Sequence, residues 1–201
     1  MKIEGIHYAT DNKVTVSLEG KKISQVTVEP KQQTDESLPY LAPGLVDLQI
    51  NGFQGYDFNT LPISEEMVVE ATQLLWEEGV TTYYPTVITN SDEAIEEAVK
   101  VIAKACENHP LVDACVAGIH VEGPFITPED GPRGAHGKQY VKAPDWNLFE
   151  RWQQAAQGKI KIITISPEWE GSTAFIRKCV EHGVIVSIGH TAATAEQIKD
   201  A

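Results

Sequence analysis

Two short stretches carry the side chains best suited to chemistry. Residues 118–125 read Gly-Ile-His-Val-Glu-Gly-Pro-Phe, and residues 187–191 read Ser-Ile-Gly-His-Thr. Each is an apolar run that ends in a metal-capable side chain, Glu122 in the first and His190 in the second. Residues two apart in a strand share a face, so His120 and Glu122 point the same way. The C-terminal ends of parallel barrel strands are where catalytic acids and metal ligands gather. A single strand-end glutamate is as readily explained by contact with water. The second cluster turns the pair into a candidate site.

The elements that must position these residues follow from the pattern after Pro43, where strands and helices alternate. An apolar strand over 45–51 leads into a Gly-rich loop through Gly55. A helix runs from about Ser64 to Glu78. Ser64 is its N-cap, Glu65 and Glu66 face the positive end of the dipole, and Gly79 ends it. A second strand covers 80–86, with Pro85 near its end. Ser91 caps a helix with Ile95, Ala98, Val99, Ile102 and Cys106 on one stripe. The run from Ala114 to Ile119 reads as the buried start of the strand that ends at Glu122. Further units follow: a helix opened by Asp145 and ended at Gly158, a strand over 160–165, a helix from Ser172 to near Gly183, and a strand over 184–188. Repeated βα units set all strands parallel with their C-terminal ends on one rim. That rim then gathers Glu122, His190, Gln49 and Asn51.

The connection over 123–144 is rich in Gly and Pro and joins the same rim. Loops longer than about 12–15 residues are usually functional in compact domains. This one holds Arg133, His136, Lys138 and Lys142, the densest positive cluster in the chain. Solvated loop charge explains each cation taken singly, and phosphate binding by some of them is the functional reading.

Residues 1–42 form a separate piece. Alternation over 2–8, 14–18 and 22–28 predicts three half-exposed strands in a small antiparallel sheet. His7 has no metal-capable neighbour in sequence and reads as structural or exposed.

Composition bounds the partners. Lys plus Arg number 16 and Asp plus Glu 29, a net charge of −13, which opposes broad contact with phosphate backbones. Nucleic acid is therefore excluded as a partner, while a small anion needs only local positive charge. No apolar run approaches the roughly 20 residues of a membrane span and the start is not signal-like, so no membrane partner is expected and the setting reads as cytoplasmic. Cys106, Cys115 and Cys179 lie in or beside apolar runs without ligand spacing and read as buried thiols in a reducing compartment. At 201 residues the chain is short of the roughly 250 of a complete barrel enzyme. Five parallel strands would leave open edges, and the capping box Thr194-Ala195-Glu196-Gln197 announces a helix close to Ala201. The expectation is the front part of a longer protein.

At this point the motifs Pro43-Gly44-Leu45-Val46-Asp47, Pro85-Thr86, His120 to Phe125, Gly134-Ala135-His136 and Gly189-His190-Thr191 stand in the order found in N-acetylglucosamine-6-phosphate deacetylases. The chain resembles that family, part of the amidohydrolase superfamily, from residue 43 onward and more loosely before it. The resemblance implies a (β/α)8 TIM barrel, here reaching about five βα units over 43–201, with 1–42 as part of a small β-domain. It implies removal of acetate from the amide nitrogen of N-acetylglucosamine 6-phosphate, in a protein that is commonly a homodimer. By matching position it makes Glu122 and His190 metal ligands and His136 a sugar contact, and sets a third His ligand and the catalytic Asp beyond Ala201. Many amidohydrolases hold a second metal with His-x-His at the end of the first strand. Here those positions are Gln49 and Asn51, and an amide is a poor zinc ligand. One divalent metal, zinc first and ferrous iron next, is the implied cofactor. Such an ion lowers the pKa of its water to about 7 and polarises the carbonyl. Asp47 reads as a structural or supporting group. His120, one layer below Glu122, could in principle ligate, and reads first as a buried hydrogen-bonded histidine. Two alternatives stay open: another metal-dependent amidohydrolase acting on a cyclic amide, and a non-catalytic fragment.

Overall fold

The computed structural model describes residues 1–32, 35 and 37–201. Contacts divide the chain into two units, Met1–Gly44 and Leu45–Ala201.

In the first unit, β1 (Lys2–His7), β2 (Lys13–Glu19) and β3 (Lys22–Glu29) pair antiparallel, β1 with β2 and β2 with β3. A short β4 (Tyr40–Leu41) joins the free side of β1 in parallel, so the sheet order is β3-β2-β1-β4. The parallel addition has no signature in the alternating pattern, because two residues are too few to show a period. His7 sits at a turn, its Nδ1 accepting from the Ala9 amide at 3.3 Å.

The second unit is an α/β layer structure. Strand β5 (Leu45–Ile50) leads into a small hairpin of β6 (Gly52–Phe53) and β7 (Tyr56–Asp57), then helix α1 (Glu65–Glu77) and strand β8 (Val80–Ile88). Helices α2 (Asp92–Asn108) and α3 (Pro110–Cys115) precede β9 (Ile119–Glu122). The long loop, with a single 3-10 turn at Lys138–Tyr140, ends at α4 (Trp146–Ala155), followed by β10 (Ile160–Ile165), α5 (Ser172–Glu181), β11 (Ile185–Ile188) and α6 (Ala195–Asp200). The five long-range strands form one parallel sheet in the order β11-β10-β9-β8-β5. Sequential neighbours joined by helices are what right-twisted βα repeats produce.

The caps that punctuate this order are where the sequence puts them. Ser64, Ser91 and Asp145 accept from backbone amides at the starts of α1, α2 and α4, and Thr194 with Gln197 completes the capping box of α6. Helix α5 differs: its N-cap is Gly171, in the left-handed region, while the Ser172 hydroxyl donates to the Pro167 carbonyl. Two boundaries also move. Strand β8 runs two residues past Thr86, carrying Pro85 inside it. Ala114 and Cys115 belong to helix α3, not to the strand ending at Glu122, which begins only at Ile119. An apolar run buried on all sides fits helix or strand equally, and here Pro110 at the first helical turn decides for helix.

One core joins sheet and helices. The predicted stripe on α2, Ile95, Ala98, Val99, Ile102 and Cys106, is buried. All three cysteines are buried and free; burial pushes the Cys106 thiol up to about 11 and Cys179 up to about 12, so neither is a thiolate near neutral pH. Phe125 anchors the stretch that leaves Glu122. Its ring stacks on Trp152 of α4 at 5.7 Å and meets the edge of Phe175 of α5 at 5.3 Å. Its carbonyl accepts from the Ser166 amide at 2.8 Å, tying the ends of β9 and β10 together. Phe125→Ala is expected to cost about 3–5 kcal/mol, as large buried aromatics do. Urea unfolding measures it as a lower midpoint at unchanged slope.

Candidate metal centre

Glu122 is the last residue of β9 and His190 lies two residues past the end of β11. Strand β10 runs between them, in register with both: Glu122 pairs with Thr164, and Ile165 with Ile188. Across that gap His190 Nε2 stands 2.9 Å from Glu122 Oε1, although 68 residues separate them in sequence. The long loop brings a third group. His136 packs edge-on against the His190 ring at 4.3 Å, and one ligand atom from each of Glu122, His136 and His190 lies within 4.8 Å of the other two.

The partners of each ring fix which nitrogen is free. His190 Nδ1 lies 3.2 Å from the Pro132 carbonyl, an acceptor only, so Nδ1 carries the hydrogen. Its Nε2 faces a carboxylate oxygen at 2.9 Å, a distance at which the two atoms share either a proton or a cation. The Thr89 hydroxyl donates to the Glu122 carbonyl at 3.3 Å, so its oxygen accepts from His136 Nδ1 at 2.8 Å, leaving His136 Nε2 unprotonated. Both rings thus present Nε2, as metal-binding histidines with an oriented outer nitrogen do.

Backbone geometry supports the arrangement. His190 has φ 49, the left-handed region that non-glycine residues enter at a cost of order 1–3 kcal/mol and that clusters at functional sites. Its carbonyl accepts from the Thr127 amide at 2.9 Å, and Gly189 donates to the Ile165 carbonyl. Gly123 follows Glu122 at φ +80, and a Cβ there would stand 2.1 Å from Thr89 Oγ1. Only glycine lets Thr89 sit close enough to hold both Glu122 and His136.

His120 lies one layer down and outside the three-residue group. Its Nε2 meets Thr164 Oγ1 at 2.7 Å, and its Nδ1 faces Thr86 Oγ1 at 3.5 Å. Burial lowers its pKa below the ordinary imidazole value, with Glu122 opposing. Burial, and then the neighbouring His190, lowers that of His136 as well. Gln49 and Asn51 are exposed at the edge strand, outside the three-residue group. The Gln49 backbone amide donates to Asp47 Oδ1 at 3.0 Å, and the Asn51 backbone carbonyl accepts from the Phe58 amide. The loop cations are all paired with acids: Arg133 with Asp130, Lys138 with Asp130 at 3.9 Å, and Lys142 with Asp92 at 2.6 Å. Arg133 also donates to the His136 carbonyl, which holds that part of the loop.

Sequence reasoning passed over Thr89 and Asn59. Asn59 accepts from the Ile88 amide at 2.7 Å and donates to the Thr86 carbonyl at 3.0 Å, stapling the loop after β5 onto β8. Thr89 lies just beyond the Thr-Val-Ile end of β8, so its place on the rim was its only available signal.

Two outcomes follow. Gly123→Ala forces a side chain into a left-handed position against Thr89, and a loss of about 1–3 kcal/mol in urea unfolding is expected. The lowered pKa values of His120 and His136 mean that the unfolded chain binds protons the folded chain refuses. Stability is therefore full above about pH 6.5, the unfolded imidazole value, and falls as pH drops below it toward the folded values. Unfolding midpoints at pH 7.5 and 5.5 measure the loss, and His120→Gln reduces it.

No protein-family model matches the sequence. The chain is 35% identical over 211 aligned residues to N-acetylglucosamine-6-phosphate deacetylase of Bacillus subtilis, a match covering 99% of the chain and 52% of that protein. The solved structure of the deacetylase of that name from Pasteurella multocida superposes with a TM-score of 0.78 at 26% identity, over 100% of this chain and 55% of that one. A variant of the Mycobacterium smegmatis enzyme, solved in complex with N-acetyl-D-glucosamine-6-phosphate, superposes with a TM-score of 0.81 at 24% identity, over 99% and 52%. The chain spans about half the length of the curated relatives it matches. From end to end it is similar to an N-terminal portion of the N-acetylglucosamine-6-phosphate deacetylases, and its parallel sheet with the metal-capable rim is the half-barrel of that fold.

Proposed function

We propose that this chain is the metal-binding half of an enzyme that hydrolyses the N-acetyl amide of N-acetylglucosamine 6-phosphate to glucosamine 6-phosphate and acetate. The observation that carries the reading is the meeting of Glu122, His190 and His136 at one point on the rim. In this reading the parallel sheet is the first five strands of a (β/α)8 barrel, and 1–42 is part of its small β-domain.

The residues present fit a divalent cation, since ligand atoms of Glu122, His136 and His190 converge within 4.8 Å of one another. Glu122 and His190 would hold it, and zinc suits a mixed carboxylate and imidazole set. When bound, such an ion polarises an amide carbonyl and makes water a stronger acid. The chain's own residues do the positioning. Pro132 and Thr89 fix the two imidazole rings, and Gly123 leaves room for Thr89. His136, with Nε2 free beside the pair, is placed to hold the sugar against it. Gln49 and Asn51 offer amides at the rim instead of ligands for a second ion. Glu122 is the only carboxylate in the three-residue group, and as a ligand it would not be free to pass a proton to the leaving amine. Arg133 and Lys138 are held by the exposed Asp130, a pairing that solvent screens, so a sugar phosphate can compete for either. A homodimer belongs to the same reading. So does a cytoplasmic setting, which three free buried cysteines suit.

Acetate release from N-acetylglucosamine 6-phosphate is the test. It is expected from a longer protein containing this sequence and absent from the 201 residues alone. Preference for a cyclic amide over the sugar phosphate would defeat the proposal. Zinc titration assigns the ligands. Glu122→Gln and His190→Ala are each expected to weaken binding by about 100-fold or more, whereas His136→Ala stays within about tenfold, the lower end of effects from residues that support a ligand. Equal losses for all three would make His136 a ligand instead.

A further inference from the structure

Glu168 lies beyond the end of β10, in the Ser-Pro-Glu-Trp stretch that links it to α5, and nothing above gives it a role. Its carboxylate joins the two loops that flank His190. Oε1 accepts from the Thr127 hydroxyl at 2.6 Å, and Oε2 accepts from the Ala192 amide at 2.8 Å and, more distantly, the Thr191 hydroxyl at 3.5 Å. Thr127 is fully buried, and its own amide donates to the His190 carbonyl at 2.9 Å. The adjoining Ser166 hydroxyl, also buried, pairs with Thr191 at 2.7 Å. His190 is thus held on both sides of its left-handed backbone, through Thr127 before the carbonyl and through Thr191 and Ala192 after it. Glu168 bonds both loops through a single carboxylate.

We propose that Glu168 is a positioning residue for His190. Its carboxylate keeps the Gly189-His190-Thr191 turn in the conformation that aims His190 Nε2 at Glu122. Charge-assisted hydrogen bonds of this length are about twice as strong as neutral ones, which suits a backbone conformation that is otherwise unfavourable. The chemistry of an amide at this position is instructive. A glutamine must turn its oxygen to the Ala192 amide, whose hydrogen cannot rotate away. Its NH2 then faces the Thr127 hydroxyl, which must turn its own hydrogen away to accept from it beside the Glu129 amide at 3.3 Å. Glu168→Gln therefore keeps the volume and the Ala192 arm of the clamp, and exchanges the charge-assisted bond from Thr127 for a weaker neutral one.

The consequence for metal binding rests on the function proposed above, but the test does not begin there. With the ring nitrogens of the six histidines labelled in the metal-free 201-residue chain, long-range nitrogen–proton correlation reports each tautomer. Wild-type His190 is expected with its hydrogen on Nδ1, set by Pro132. Glu168→Ala is expected to move the His190 nitrogens toward the averaged values of a free imidazole, with those of His7, His109 and His120 unmoved. Glu168→Gln shifts them in the same direction by less, and serves alone if the alanine variant does not fold. Zinc titration is then expected to show about 10–100-fold weaker binding for Glu168→Ala, the range for lost supporting partners of a ligand. Unmoved His190 nitrogens in the folded variants would overturn the proposal. A common disturbance of all six rings would also overturn it, since that marks general loss of structure. If wild-type chain binds no zinc, the proposed metal function falls, and the tautomer spectra still decide the role of Glu168.

Discussion

The contact between His190 Nε2 and Glu122 Oε1, 2.9 Å across the end of β10, is the constraint on which the rest of the site depends. It needs three consecutive parallel strands in fixed register, because a slip of one residue would turn either side chain to the opposite face. The register is held by ladders from Ile119 to Glu122 on one side of β10 and from Ile185 to Ile188 on the other. Gly189 completes the fit. A Cβ there would come within 2.8 Å of Thr164 Cγ2, so a side chain would push the turn carrying His190 away from the strand between.

Beneath that contact lies a polar layer of Thr86, His120 and Thr164, all buried. Buried polar groups are costly unless paired, and these pair with one another across three strands. The layer gives the rim a rigid floor. Desolvation, which keeps His120 below the ordinary imidazole value, also favours a neutral ring that adds no positive charge under Glu122. The carboxylate is left to whatever proton or cation the two histidines above it share.

The acidity of the chain bears on the site through the loop over 123–144. At −13 net charge the long-range field disfavours an anionic ligand. The loop's cations are partly neutralised by their own acids, Asp130 and Asp92. These pairs also have a geometric effect. Arg133 draws the His136 carbonyl and Asp130 together, and Lys142 ties the loop's far end to the start of α2. The middle of the loop is thereby folded on itself and its far end anchored, with the His136 ring against His190.

How much of this was legible in sequence differs from residue to residue. Periodicity, capping residues and glycine stops were enough for the parallel βα order and for most element boundaries, because these are local effects of backbone chemistry. Glu122 and His190 could be singled out for the same reason: each is a polar residue at the end of an apolar strand. The sequence could not separate helix from strand over Ala114 and Cys115, where burial on every side erases the period. It also had no means of showing that His136 turns back onto His190, that Thr89 holds both His136 and Glu122, or that Glu168 spans the two loops beside His190. Those contacts join residues at least 23 positions apart. They exist only once strand register and the path of one long loop have been set, and tertiary packing alone sets them.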